Sequence, residues 1–200
     1  MEQNLDMLRQ EIVDKSLQAF REGLFSGTSG NMSCRIAPDE MLVTPTSVRY
    51  DVLRARDIVR MKLDGTVLEG EMQPSSEWRM HAAVYEAYGE TNAVFHTHSP
   101  YATAFAVVRQ SIPTVLIESR VFLGGDIRCA DYAAPGTKKV GVNAVPALKD
   151  RGGCTLANHG VLAVGKDLAQ AYLRAEYIED VAKIYTYAKS IGTPVALDTL

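Results

Sequence analysis

Leu5, Leu8, Ile12, Leu17 and Phe20 recur at helical spacing from the start of the chain, and the pattern stops near Gly23. An N-terminal helix is predicted there. The segment "FSGTSGNMSCRI" is a Gly/Ser/Thr loop feeding a short strand, and "MLVTPTS" is a strand running into a proline turn. "DIVRMKLDGTVLEG" reads as two strands joined at Asp64-Gly65, the strongest hairpin signal in the chain. "QPSSEWRMHAAVYEAYG" predicts a helix opened by Pro74, with Ser75 and Ser76 as capping residues, and closed at Gly89. "TNAVFHTH" predicts a strand, followed by a helix in "SPYATAFAVV" with Ser99 as N-cap and Pro100 at its first position. "GTKKVGVNAVPALKD" is a further helix, and "GGCTLANHGVLAVG" a strand pair broken at "NHG". The last helix is expected from about Asp167 to Ser190.

Hairpins followed by alternating helices and strands predict one α/β domain of α+β character over residues 1–200. Its centre is a largely antiparallel sheet flanked by helices. The chain shows no internal repeat or low-complexity tract. Its net charge is -3, with Lys and Arg scattered rather than striped, which argues against nucleic acid as a partner. Cys34, Cys129 and Cys154 have no metal-like spacing and read as buried apolar residues of a reducing compartment. The charged N-terminus lacks a signal core, and no run is long enough to cross a bilayer, so a cytoplasmic location without membrane contact is expected.

The four histidines change the picture. His96 and His98, two apart in a strand, point to one side about 7 Å from each other. His159 interrupts two apolar strands, a costly place for an imidazole without a partner. His81 lies one helical turn after Glu77 and shares its face. This pattern suits a metal, zinc first by ligand preference, although hydrogen-bonded core histidines would produce it too. Residues 26–31, 44–47 and 74–77 offer glycine amides and hydroxyls to an anion, and no nucleotide-binding glycine motif is present.

Together, "GTSGN", "TPTS", "PSSEW", "HTH" and "NHG", in this order and at these separations, resemble the class II aldolase and adducin head family over nearly the whole chain. The resemblance implies one zinc ion per subunit held by Glu77, His96, His98 and His159, with Glu77 also the general acid/base. It implies a substrate phosphate held by Thr28, Gly30, Asn31, Thr46, Ser47, Ser75 and Ser76. A C4 homotetramer with active sites between subunits is implied as well, as are helices on both faces of the sheet. Glutamate after the Ser-Ser pair, where the family's epimerases carry aspartate, points to an aldolase. That enzyme would reversibly cleave L-fuculose 1-phosphate or a related ketose 1-phosphate to dihydroxyacetone phosphate and an aldehyde, through a metal-stabilised enediolate. Epimerases, dehydratases and decarboxylases share this scaffold. Adducin heads share the fold without the activity, and the retained histidines and Glu77 separate this chain from them.

The sequence departs from the pattern in places. Ser47 stands where the resembling aldolases have glycine. The sequence stops at Leu200, so the tyrosine that a longer tail supplies in those aldolases is not expected here. "SIPTVLIESRVFLGGD" lacks their other tyrosine and offers Glu118 and Arg120. Glu118 is expected as a second proton-transfer group, or else as a solvated or ion-paired carboxylate, with Tyr101 and Tyr132 as alternatives for the role. A carboxylate of ordinary pKa is a poor base, so partial burial that raised the pKa of Glu77 would help it in this role.

Overall fold

The computed structural model describes residues 2–197. The expected domain span of 1–200 includes Met1 and residues 198–200, which lie outside the described residues. The chain runs α1 (Glu2–Arg21), β1 (Asn31–Ala37), β2 (Glu40–Val43), β3 (Val59–Lys62), β4 (Val67–Glu69), α2 (Trp78–Ala87) and β5 (Ala93–Thr97). It continues with α3 (Pro100–Val107), α4 (Ile117–Leu123), β6 (Cys129–Ala130), α5 (Lys138–Leu148), β7 (Gly153–Leu156), β8 (Gly160–Gly165) and α6 (Leu168–Ile191). The strands form one sheet in the order β4-β3-β2-β1-β5-β8-β7-β6. Every pairing is antiparallel except β6 with β7.

Alternation along the central strands decides the layering. Ala93 and Phe95 of β5, with Val161 and Ala163 of β8, join a core that takes in residues of α1, α3, α4 and α6. Val94, Leu162 and Val164 point the other way, into a core shared with α2 and α5. Strands buried on both faces need helices on both faces, as the family resemblance implied. Phe95 stacks on Phe25 at 5.0 Å and meets Tyr172 edge-on at 5.5 Å. Burying such a ring contributes about 1.5–3 kcal/mol, and a well-placed ring pair about 0.5–1.5 more. These contacts anchor β5, the strand that carries His96, in the middle of the sheet.

The hairpin at Asp64-Gly65, the "NHG" break and the helix starting at Pro100 lie where expected. Other details differ. The helix after "PSSE" begins only at Trp78, and neither Ser75 nor Ser76 caps it. Both belong to a segment bridged to residues 44–46, with the Ser75 amide donating to the Thr44 carbonyl and the Thr46 amide to the Gln73 carbonyl, each at 3.0 Å. Ser99 makes no side-chain cap either. Instead the Glu179 carboxylate of α6 accepts from the Tyr101 and Ala102 amides at 2.9 Å. This distant anion takes over the free helix-end donors and ties α3 to α6. Helix α4 was not expected: Ile117 and Val121 are exposed on it, so its apolar residues show no clean stripe. Strand β6, only two residues long, carries no periodicity to read. Cys34 and Cys154 are buried as expected, whereas Cys129 is only half-buried.

Candidate metal centre

Three local features bring the site residues together. Strand β5 lies between β1 and β8, with His96 opposite both Asn31 and Leu162. His98 follows the strand end, its amide donating to the Leu24 carbonyl at 3.3 Å. His159 sits in the turn between β7 and β8, where Asn158 takes up φ 54°, a left-handed conformation that asparagine tolerates. Gly160 then passes so close to β5 that a Cβ there would lie 2.3 Å from the Thr97 carbonyl oxygen and 3.2 Å from both His96 and His98. Glycine is required because two backbones and two imidazoles share that space. Glu77 arrives from the N-terminal end of α2.

The four side chains meet with their ligand atoms all within 4.8 Å of one another, the one such cluster among the described residues. His96 Nδ1 donates to the Val161 carbonyl at 2.7 Å, which leaves Nε2 with a lone pair. That Nε2 is 3.0 Å from His98 Nε2 and 3.0 Å from Glu77 Oε2, while His159 Nε2 is 3.2 Å from Glu77 Oε1. Glu77 Oε1 is buried without a hydrogen-bond partner. Lone pairs and a carboxylate packed this tightly repel one another unless a cation lies among them. Three imidazoles and one carboxylate therefore fit a divalent metal by donor type, and substrate reaches it only by displacing one of the four.

The electrostatics refine one expectation. Burial pushes the Glu77 carboxyl up, but positive charge at His96 and His159 outweighs it and holds the group below the ordinary carboxylate range. The upward shift that would help a base is thus reversed: the carboxylate is kept ionised, as a metal ligand must be. His98 is lowered to about 4 by burial and by His96 and His159, which keeps its imidazole neutral for coordination.

Beside this cluster opens a pocket of about 330 Å³ that includes Glu77, His98 and His159. Thr28, Ser29, Gly30 and Asn31 form one wall, Pro45, Thr46 and Ser47 a second, and Ser75 and Ser76 a third. All seven residues expected to hold phosphate therefore line it. Among the described residues, no lysine or arginine does. A Cβ at Gly30 would strike the Phe25 ring at 2.4 Å and the His96 carbonyl at 2.9 Å, and the Tyr50 hydroxyl donates to the Gly30 carbonyl at 2.5 Å. Ser47 takes φ 60°, which accounts for the glycine expected at that position. The Asn31 side chain is occupied at both ends, donating to Glu77 Oε2 at 3.1 Å and accepting from His81 Nε2 at 2.5 Å.

Pro135 and Gly136 also line the pocket and were not anticipated. The Pro-Gly pair before α5 was the available signal, but a turn before a helix accounts for it equally well. Glu118 lies half-buried in the first turn of α4 and is not among the residues lining this pocket. Tyr132 is largely exposed, and the Tyr101 hydroxyl pairs with that of Tyr187 at 2.9 Å. Among the described residues no helix is long and apolar enough to cross a membrane.

Comparison with known proteins covers nearly the whole chain. The profile of the Class II Aldolase and Adducin N-terminal domain family matches residues 10–186. A 5-deoxy-D-ribulose 1-phosphate aldolase of Bacillus thuringiensis serovar kurstaki is 39% identical over 192 residues, covering 94% of this chain and 89% of that protein. The L-fuculose phosphate aldolase of Escherichia coli K12 is 37% identical over 195 residues, covering 98% and 89%. A solved structure of an L-fuculose 1-phosphate aldolase superposes with a TM-score of 0.91 at 38% identity, over 95% of this chain and 90% of that one.

Proposed function

The chain belongs to the class II aldolase and adducin N-terminal domain family, and on that footing we propose that it is a zinc-dependent aldolase. Its substrate is a ketose 1-phosphate, L-fuculose 1-phosphate or a 5-deoxypentulose 1-phosphate of the kind its relatives act on, cleaved to dihydroxyacetone phosphate and an aldehyde. The observation that carries this reading is the convergence of Glu77, His96, His98 and His159 at the edge of a pocket lined by hydroxyls and turn amides.

The mouth formed by residues 28–31, 46–47 and 75–76 receives the phosphate through neutral donors, and this directs the adjacent carbon atoms toward the histidines. His96, His98, His159 and Glu77 hold the zinc, which when bound supplies Lewis-acid stabilisation for negative charge developing on the substrate's carbonyl oxygen. Glu77, released from the metal when substrate binds, moves a proton at the carbon next to that carbonyl. It removes the proton in synthesis and returns it in cleavage. The hydroxyl proton of the sugar needs a second group. We assign it to Glu118, contributed across a subunit boundary in a C4 homotetramer, since Glu118 lies outside its own chain's pocket. The exposed apolar side chains Val107, Val108 and Val121 support such an assembly. We read residues 1–200 as one domain working in this way in the cytoplasm.

The test is to follow aldehyde and dihydroxyacetone phosphate release from a panel of ketose phosphates, with and without chelator. Product identity separates this activity from epimerase, dehydratase and decarboxylase reactions. Activity that survives complete zinc removal sinks the proposal. Glu77→Gln is expected to abolish proton exchange at dihydroxyacetone phosphate while leaving its phosphate bound; exchange at the parent rate removes Glu77 as the base.

A further inference from the structure

Behind the metal centre, five polar side chains are joined end to end through the core. The Tyr85 hydroxyl lies 2.7 Å from Ser33 Oγ, and Ser33 Oγ lies 2.7 Å from His81 Nδ1. His81 Nε2 lies 2.5 Å from Asn31 Oδ1, and Asn31 Nδ2 lies 3.1 Å from Glu77 Oε2. All five residues are buried, Ser33 and His81 completely. Apolar packing would fill this space at less cost, because a buried polar string destabilises the fold unless every member is paired.

Its direction follows from valence. The Glu77 carboxylate can only accept, so Asn31 must present its NH2 group and turn its carbonyl to His81. His81 then carries its proton on Nε2 and accepts at Nδ1, so Ser33 donates to it and in turn accepts from Tyr85. The string reads one way only, and it ends on Oε2 of Glu77. Oε1 is the oxygen left without a hydrogen-bond partner. Helical spacing brings His81 and Tyr85 to one face of α2, and the alternation of β1 turns Asn31 and Ser33 toward that face.

We propose that His81 is a positioning residue: through Asn31 it locks the Glu77 carboxylate in one orientation and leaves Oε1 as the working oxygen. The proposal rests on Glu77 acting as acid/base, as read above. It also places the Asn31 side chain on the carboxylate rather than on the substrate's phosphate.

The test uses the full-length, zinc-loaded protein labelled with nitrogen-15 histidine. His81, assigned by the resonance missing from His81→Gln, should be protonated at Nε2 and an acceptor at Nδ1; the opposite tautomer overturns the proposal. His81→Leu should lower kcat by about 10–100-fold with KM within about 2-fold, and weaken zinc binding by about 10-fold. His81→Gln, whose amide can both donate to Asn31 and accept from Ser33, should recover most of the loss. Parent-like kcat in zinc-loaded His81→Leu, or equal losses in the two variants, overturns the assignment. Should His81→Leu fail to fold, Asn31→Ala cuts the same link from its other side and should lower kcat by about 10–100-fold; a parent-like kcat counts against the proposal. If the parent cleaves no ketose phosphate at all, the aldolase reading fails. The tautomer and zinc affinity then decide by themselves whether His81 orients Glu77.

Discussion

Replacing Gly160 with alanine tests how the metal centre is assembled. The added Cβ would lie 2.3 Å from the Thr97 carbonyl oxygen, about 1 Å short of ordinary contact. It would also press on His96 and His98 at 3.2 Å. The first obstacle is backbone in a ladder, where Thr97 stands opposite Val161, so no side-chain rotation relieves it. The strands β5 and β8 must part by several tenths of an ångström or more at this rung. Overpacking of this kind costs roughly 1–3 kcal/mol, a fall in Tm of about 2–10 °C for a chain of this size. The functional effect is larger, because β5 carries His96 and leads to His98 while His159 adjoins the displaced glycine. Ligand distances tolerate only about 0.2 Å, so zinc affinity should drop by about 10–100-fold. Competition with a chromophoric chelator measures this, with melting curves in the presence and absence of zinc. Gly89→Ala is the control, since nothing lies within 4 Å of a Cβ there. If Gly160→Ala binds zinc like the parent and melts at the same temperature, the close approach of the strands does not shape the site.

Two further outcomes follow from the geometry. Ser47 holds φ 60°, which costs a side-chain-bearing residue about 1–2 kcal/mol, more than glycine's added entropy of about 0.5–1. Ser47→Gly should therefore raise Tm by about 1–4 °C, and a fall would show that the hydroxyl has a structural partner. Burial and the neighbouring Glu22 raise the pKa of Glu176 from 4.5 to about 6. The folded state therefore binds this proton more tightly than the unfolded chain, so stability from this group is full below 4.5 and lost as pH rises through about 6. Discounted for the carboxyl's exposure, the loss is less than about 1 kcal/mol. Glu176→Gln should thus gain about 1–3 °C in Tm at pH 8 relative to the parent, and little at pH 4. A gain of the same size at both pH values would remove ionisation as its cause.

Much of the fold was legible because its signals are local. A glycine turn between alternating residues makes the β3–β4 hairpin, and proline at a helix start places α3. Where the controlling group is distant, local reading fails. Ser99 precedes α3 like a cap, yet the helix-end amides go to Glu179 of α6, seventy-odd residues on. Ser75 and Ser76 look like helix caps, but their segment is held against residues 44–46 and the helix starts later. Helix α4 packs with apolar side chains on its exposed side as well as its buried one, which blurs the stripe that would have revealed it.

The chain's order of residues determined by itself which side chains could hold a metal, because the two-residue repeat of a strand puts His96 and His98 on one side. It also determined the hydroxyl- and glycine-rich segments that line the pocket. Tertiary structure alone decided that His159 and Glu77 close the cluster, since their meeting depends on the pairing of β5 with β8 and on the direction in which α2 approaches. It also decided the protonation of Glu77, where nearby imidazoles outweigh burial, and the work of His81. One helical turn from Glu77 the sequence shows only a shared face. Its link to the carboxylate runs through Asn31, on a strand that only folding brings alongside.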